Sequence, residues 1–218
     1  MENISENIER FRREMKKYPK ARLMAVVKTR SGEEIEYAIK ECGIDLVGEN
    51  RVQEFIAHEP FFCGAEVHFI GSLQKNKVKY LIGKVKMIES VDSVGLAEEI
   101  SRRSEKAGIK TEILVEVNAG REPQKSGVMP EDVPTLLEKI SALDGVVLRG
   151  LMTVAPRCED PDERRGYFAA IRKMRDDNIG YFKDPVLSMG MTESYVEALE
   201  EGSDIIRIGT GIFGKREK

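Results

Sequence analysis

The sequence predicts an α/β protein: a single (β/α)8 TIM barrel with an extra N-terminal helix, one domain over residues 1–218. Three observations lead there. Short β-branched runs alternate with helix-period segments, and strict alternation demands parallel strands joined by crossover helices. The runs number eight, the count that closes a barrel, and 218 residues lies near the lower size limit of about 200. No linker, repeat or low-complexity stretch divides the chain. An open doubly wound sheet is the alternative, but eight strands are hard to fit into an open sheet this small.

The elements follow in order. The opening helix carries Ile4, Ile8, Phe11 and Met15 on one stripe. Strands are predicted at 23–29, 46–49, 66–70, 87–91, 112–118, 146–154, 186–189 and 205–208. Between them, Ile35, Ala38, Ile39 and Cys42 keep the i, i+3, i+4, i+7 spacing of an amphipathic helix, as do Val133, Leu136, Leu137 and Ile140. Ala97, Ile100, Ser104 and Ala107 keep it with one polar member; Phe168, Ile171 and Met174 form another stripe, Val196 and Leu199 a shorter one. Ser31 with Glu34 is a capping-box pattern, and Asp160 followed by Pro161 marks a helix start. Shorter helices are predicted over 51–58 and 73–82.

Composition narrows the function. The 35 basic and 38 acidic residues are mixed along the chain and nearly cancel. The cluster Lys75, Lys77, Lys79, Lys84 and Lys86 has no aromatic interleaving, so it reads as a solvated face and no nucleic-acid partner is expected. Cys42, Cys63 and Cys158 are odd in number and far apart, which argues against a disulfide framework and fits a reducing cytosol. His58 and His68 lack metal-site spacing, so no metal is expected. No apolar run reaches signal-peptide or membrane-span length, and a cytoplasmic location is expected.

In such a barrel the active groups sit at the carboxyl ends of the strands. On strand one, Met24, Val26 and Lys28 share a face by period two. Lys28 then either places an amine at the top of an apolar interior, where desolvation frees it as a nucleophile, or snorkels out of the mouth. Strand seven ends in SMGMT at 188–192 and strand eight in IGTG at 208–211. Both are small, hydroxyl- and glycine-rich turns. They suit the phosphate site that barrels build from these two loops, or serve as tight turns needing glycine. Arg207 shares parity with Gly209 and, if inward, needs an acceptor. A lysine nucleophile and a phosphate grip at one mouth suggest an aldehyde phosphate, pyridoxal 5′-phosphate.

Longer stretches carry a family resemblance: AVVKT at 25–29, GENRVQE at 48–54, HFIGSLQKN at 68–76, VNAG at 117–120 with EPQKSG at 122–127, RGLMT at 149–153, SMGM at 188–191 and IRIGT at 206–210, followed by Phe213 and Gly214. The chain resembles the pyridoxal phosphate homeostasis proteins (the YggS/PROSC family), which look like the isolated barrel domain of bacterial alanine racemase. The resemblance implies that Lys28 holds pyridoxal 5′-phosphate as an internal aldimine. It implies that Ser188, Gly209 and Thr210 bind the phosphate, that Arg207 faces the pyridine nitrogen, and that Asn50, His68 and Met152 line the pocket. The chain has Thr192 where the family has serine, which keeps the hydroxyl.

Racemisation needs a second base on the opposite face of the substrate. The racemase draws that base, a tyrosine, from another domain of a partner subunit. The sequence runs from the eighth strand almost directly to Lys218, so no such domain is expected, and Tyr37, Tyr80, Tyr167, Tyr181 and Tyr195 read as packing residues. The implied function is therefore a non-catalytic carrier in cofactor homeostasis, a monomer without membrane contact, with pyridoxal-phosphate-dependent apo-enzymes as recipients. The alternative is a small amino-acid racemase. Lys125 reads either as a surface loop charge or as an entry-site lysine for cofactor transfer.

Overall fold

The apolar runs pair side by side in chain order, all parallel, and the last closes on the first. The computed structural model describes residues 2–215. The strands are β1 (Arg22–Val26), β2 (Leu46–Glu49), β3 (Glu66–Phe69), β4 (Met87–Val91), β5 (Thr111–Val117), β6 (Val146–Thr153), β7 (Val186–Ser188) and β8 (Ile205–Ile208). The helices are α1 (Glu2–Met15), α2 (Gly32–Lys40), α3 (Val52–His58), α4 (Val94–Lys106), α5 (Val133–Ser141), α6 (Pro161–Asp177), α7 (Tyr195–Glu200) and α8 (Thr210–Phe213). The result is the expected (β/α)8 barrel, with α1 as the extra helix.

Period two divides each strand between two cores. Leu23 and Ala25 on β1, and Val27 just after it, face the helices and belong to the large outer core, which also holds Ile35, Phe55, Phe69, Leu137 and Phe168. Met24 belongs instead to a small inner cluster with Leu46 and Ile205. A second inner cluster joins Met87, Leu114 and Met152. Complete burial of each such side chain contributes about 1.5–3 kcal/mol. Together the inner clusters fill part of the barrel interior below its carboxyl end.

Local signals hold where a cap fixes them. Ser31 accepts from the Glu34 N–H at 3.2 Å while the Ser31 N–H donates to the Glu34 carboxylate at 2.9 Å, a complete capping box. The Asp160 side chain caps α6 ahead of Pro161. The helix predicted over 73–82 is instead a 3₁₀ helix, Lys75–Tyr80. Its buried Val78 and Leu81 stand three apart, the repeat of a 3₁₀ and not an α turn. Strand one ends at Val26, short of Lys28, because Thr29 takes φ +60°, which no strand accommodates. The one-turn α8 had no period in the sequence to announce it. Helix α1 backs it: Asn7 Nδ2 donates to the Ile212 carbonyl at 2.9 Å, and Phe11 meets the Tyr195 ring edge-on, centroids 5.0 Å apart.

One glycine is imposed by the barrel itself. Gly150, on β6, has φ +142°, and a methyl group there would lie 1.9 Å from the Val186 carbonyl oxygen on β7. Substitution by alanine therefore adds backbone strain, about 1–3 kcal/mol, to a clash across the β6–β7 ladder. Gly150→Ala should lower the thermal midpoint by several degrees; an unchanged midpoint would show that the ladder relaxes at no cost.

Candidate functional site

At the carboxyl end of the strands, Lys28, Arg207, Gly209 and Thr210 lie around the β8–β1 seam. In that seam Met24 is level with Arg207 and Ala25 with Ile208. Lys28, partly buried, lies two residues past β1 on the parity of Met24 and Val26. It is the second residue of a tight turn, Val27 to Arg30, closed by the Arg30 N–H donating to the Val27 carbonyl at 3.1 Å. Thr29, the third residue, has φ +60°. For a β-branched residue this is a strained conformation that costs of order 1–3 kcal/mol. It is held by the Glu54 carboxylate, which accepts from the Thr29 N–H at 2.9 Å.

Beside this turn lie Gly209 and Thr210, at the exit of β8. The Thr210 hydroxyl approaches that of Thr192 at 3.4 Å, and the Gly211 N–H donates to Thr192 Oγ1 at 3.2 Å. The hydroxyl that joins Thr210 is thus that of Thr192, not of Ser188. Ser188 lies deeper, wholly buried: its hydroxyl donates to Glu89 Oε2 at 2.5 Å and accepts from Arg207 Nη1 at 2.8 Å. The reason is height along the barrel. Ser188 ends β7 pointing into the barrel, whereas Thr192 sits in the loop beyond it, at the level of α8.

Below the mouth a buried polar chain crosses the barrel. His68 Nδ1 meets Glu89 Oε1 at 2.6 Å, Glu89 meets Ser188, Ser188 meets Arg207, and Arg207 Nη2 donates to the Thr153 carbonyl at 2.7 Å. Burial pushes the Glu89 carboxyl up, but the His68 hydrogen bond, the charges of His68 and Arg207, and the Ser188 hydroxyl outweigh it and hold it below the usual carboxylate value. Burial lowers Arg207, against the pull of Glu89 and Glu116. Glu116, bonded by the Ser126 hydroxyl at 2.8 Å, is raised by burial. His68 and Met152 therefore lie under the mouth, His68 inside this chain and Met152 in the second inner cluster. Asn50, directly after β2, keeps a buried Oδ1 with no hydrogen-bond partner. Its backbone is pressed by Gly71, where a methyl would lie 2.1 Å from the Asn50 carbonyl oxygen. Lys125 pairs with Glu122 in the loop after β5.

Sequence reasoning missed Glu89 and Glu116. A signal was available: Glu89 and Glu116 are acidic residues on the parity of the inward-facing Met87 and Leu114. Such a residue is almost never buried unless paired.

A family model, the alanine racemase N-terminal domain, matches residues 1–217. A pyridoxal phosphate homeostasis protein of Aquifex aeolicus is 44% identical over 204 residues, covering 90% of this chain and 88% of that one. One from Vibrio cholerae is 34% identical and covers 100% and 98%. The chain belongs to the pyridoxal phosphate homeostasis protein family. Among solved structures of similar fold, PipY of Synechococcus elongatus, with pyridoxal phosphate bound, superposes with a TM-score of 0.88 at 32% identity over 97% of this chain and 100% of that one. An alanine racemase of Corynebacterium glutamicum shares the fold, with a TM-score of 0.80 at 16% identity over 99% of this chain and 62% of that one.

In this member of the family the buried chain has a pH signature. The Glu89 carboxyl is below its unfolded value, so its contribution to stability is complete above about pH 4.3 and is lost as pH falls through the folded value. Glu89→Gln should cost about 3 kcal/mol near neutrality, because it leaves a buried cation without its carboxylate. The gap from the unsubstituted protein in denaturant unfolding should narrow below about pH 4. A gap independent of pH would place the ionised carboxylate outside the stability of the barrel.

Proposed function

We propose that the protein binds pyridoxal 5′-phosphate reversibly through Lys28, without turnover, and holds it for pyridoxal-phosphate-dependent apo-enzymes. One observation carries the reading: the Lys28 turn and the Thr192–Thr210 turn are neighbours across the β8–β1 seam. Pyridoxal phosphate bears its aldehyde and its phosphomethyl group on adjacent ring carbons, so it asks for an amine and an anion grip side by side.

The residues present fit that ligand. Asn50 supplies a buried acceptor with no partner of its own, a group whose isolation costs about 1–3 kcal/mol unless something bonds it. At Gly209 a methyl would make only ordinary contact with Val26, at 3.5 Å. The fold does not impose glycine there, and the bare backbone suits the close approach of a phosphate. Thr192, Thr210 and the adjoining N–H groups form the grip, with Gly209 leaving the backbone open. Arg207, lying deeper, is the cation for the ring-nitrogen side, and Glu89 and Ser188 hold it in place. His68 acts through Glu89, and Met152 closes the floor.

When bound, pyridoxal phosphate supplies an aldehyde that condenses with a primary amine and releases water. Lys28 offers that amine, in a turn whose strain is fixed by Glu54. Arg207 keeps its proton, so it withholds one from the ring nitrogen and leaves the ring a weak electron sink. The described tyrosines lie in helices or loops, outside the strands. Tyr195, pushed up to about 12 by burial and by its hydrogen bond to Glu14, is a poor base. The names of the curated relatives support a homeostasis role over racemisation. The three free cysteines fit a reducing cytoplasm.

The reading predicts that purified protein incubated with pyridoxal phosphate gains a visible absorbance band. Borohydride should then fix the ligand's mass on the peptide carrying Lys28, and Lys28→Ala should stay colourless. A colourless protein of normal sequence ends the proposal. Thr192→Val should weaken binding of pyridoxal phosphate by about tenfold, the loss of one hydrogen bond to a charged group, measured by equilibrium dialysis. Alanine incubated with the loaded protein in deuterated water should keep its Cα proton; rapid exchange with loss of chirality would make the protein a racemase instead.

A further inference from the structure

The one-turn α8 is too short to hold its own shape, since a single helical turn does not repay the ordering of its backbone. Side chains hold it by its last carbonyls. Helix α1 supplies two donors: Asn7 to the Ile212 carbonyl at 2.9 Å and Arg10 to the Gly211 carbonyl at 3.3 Å. Arg30 supplies the others, with Nη1 donating to the Phe213 carbonyl at 3.1 Å and Nη2 to the Gly214 carbonyl at 2.7 Å. Its guanidinium also lies over the Phe213 ring, 5.3 Å from the centroid, and its side chain is only 10% exposed. The planar fork matches two consecutive carbonyls, which a lysine ammonium does not.

Arg30 is also the fourth residue of the turn that carries Lys28, closed through its own N–H to Val27. Its main chain thus belongs to the amine turn and its side chain to the phosphate turn. We propose that Arg30 is the positioning residue for phosphate recognition. It sets the level of Thr210 and the adjoining N–H groups against the Lys28 turn, so that the protein prefers the phosphorylated aldehyde to the unphosphorylated one. Arg30 does not touch the ligand. This inference rests on the pyridoxal phosphate reading above.

The test is the ratio of two affinities, for pyridoxal 5′-phosphate and for pyridoxal, measured by equilibrium dialysis on the full-length protein, Arg30→Ala and Arg30→Lys. For Arg30→Ala the affinity for pyridoxal phosphate should fall about tenfold, the size of one charge-assisted hydrogen bond, with less than about a twofold change for pyridoxal. Arg30→Lys should fall between, and decides alone if Arg30→Ala does not fold. A general loss of structure would weaken both ligands by the same factor. Equal factors, or an unchanged ratio, overturn the assignment to Arg30 and leave the binding site standing. Failure of the unsubstituted protein to bind pyridoxal phosphate overturns the underlying reading and this inference with it.

Discussion

Pairing of β8 with β1 closes the barrel, and the mouth takes its arrangement from that seam. Lys28 and Thr210 are separated by most of the chain, yet closure sets them just beyond the ends of neighbouring strands. Parallel pairing in register keeps their levels fixed relative to Met24 and Arg207. A slip of one residue in either strand would turn Lys28 toward the helices and Arg207 out of the interior. The inner cluster of Met24, Leu46 and Ile205 resists that slip, because it too depends on parity.

Beneath the seam the protein carries a cost that an apolar interior would avoid. His68, Glu89, Ser188 and Arg207 form one bonded chain among buried strands. Replacing such a chain by apolar residues is often neutral or stabilising in general, so stability alone does not account for it. The role proposed for Arg207, a cation on the ring-nitrogen side of the ligand, would account for it: the Glu89 carboxylate balances the buried charge and Ser188 bonds the guanidinium.

Much of the fold was legible because it rests on local signals: period two in the strands, period 3.6 in the helices, and side-chain caps at Ser31 and Asp160. Strand parity and the rule that strand ends carry the chemistry were enough to put Lys28, Arg207, Gly209 and Thr210 at the mouth, whereas Asn50, His68 and Met152 entered only through the family resemblance. Ser188 shows where this runs out. Its neighbours are as glycine- and hydroxyl-rich as those of a phosphate loop, but whether it lies at the last rung of β7 or in the loop beyond decides between a buried relay and a surface grip. The spacing of the SMGMT run does not say that Ser188 closes β7 while Thr192, four residues on, lies in the loop.

The barrel and its extra helix could be read along the chain, as could the position of Lys28 just past the first strand, because alternation and periodicity are properties of neighbours in sequence. Which groups meet across the barrel depends on its closure. Glu89 meets Ser188 at a sequence separation of 99, and Arg30 meets Gly214 at one of 184. Those contacts are products of ring closure, and nothing in the spacing of residues along β4 or in the loop after β1 encodes the partner on the far strand.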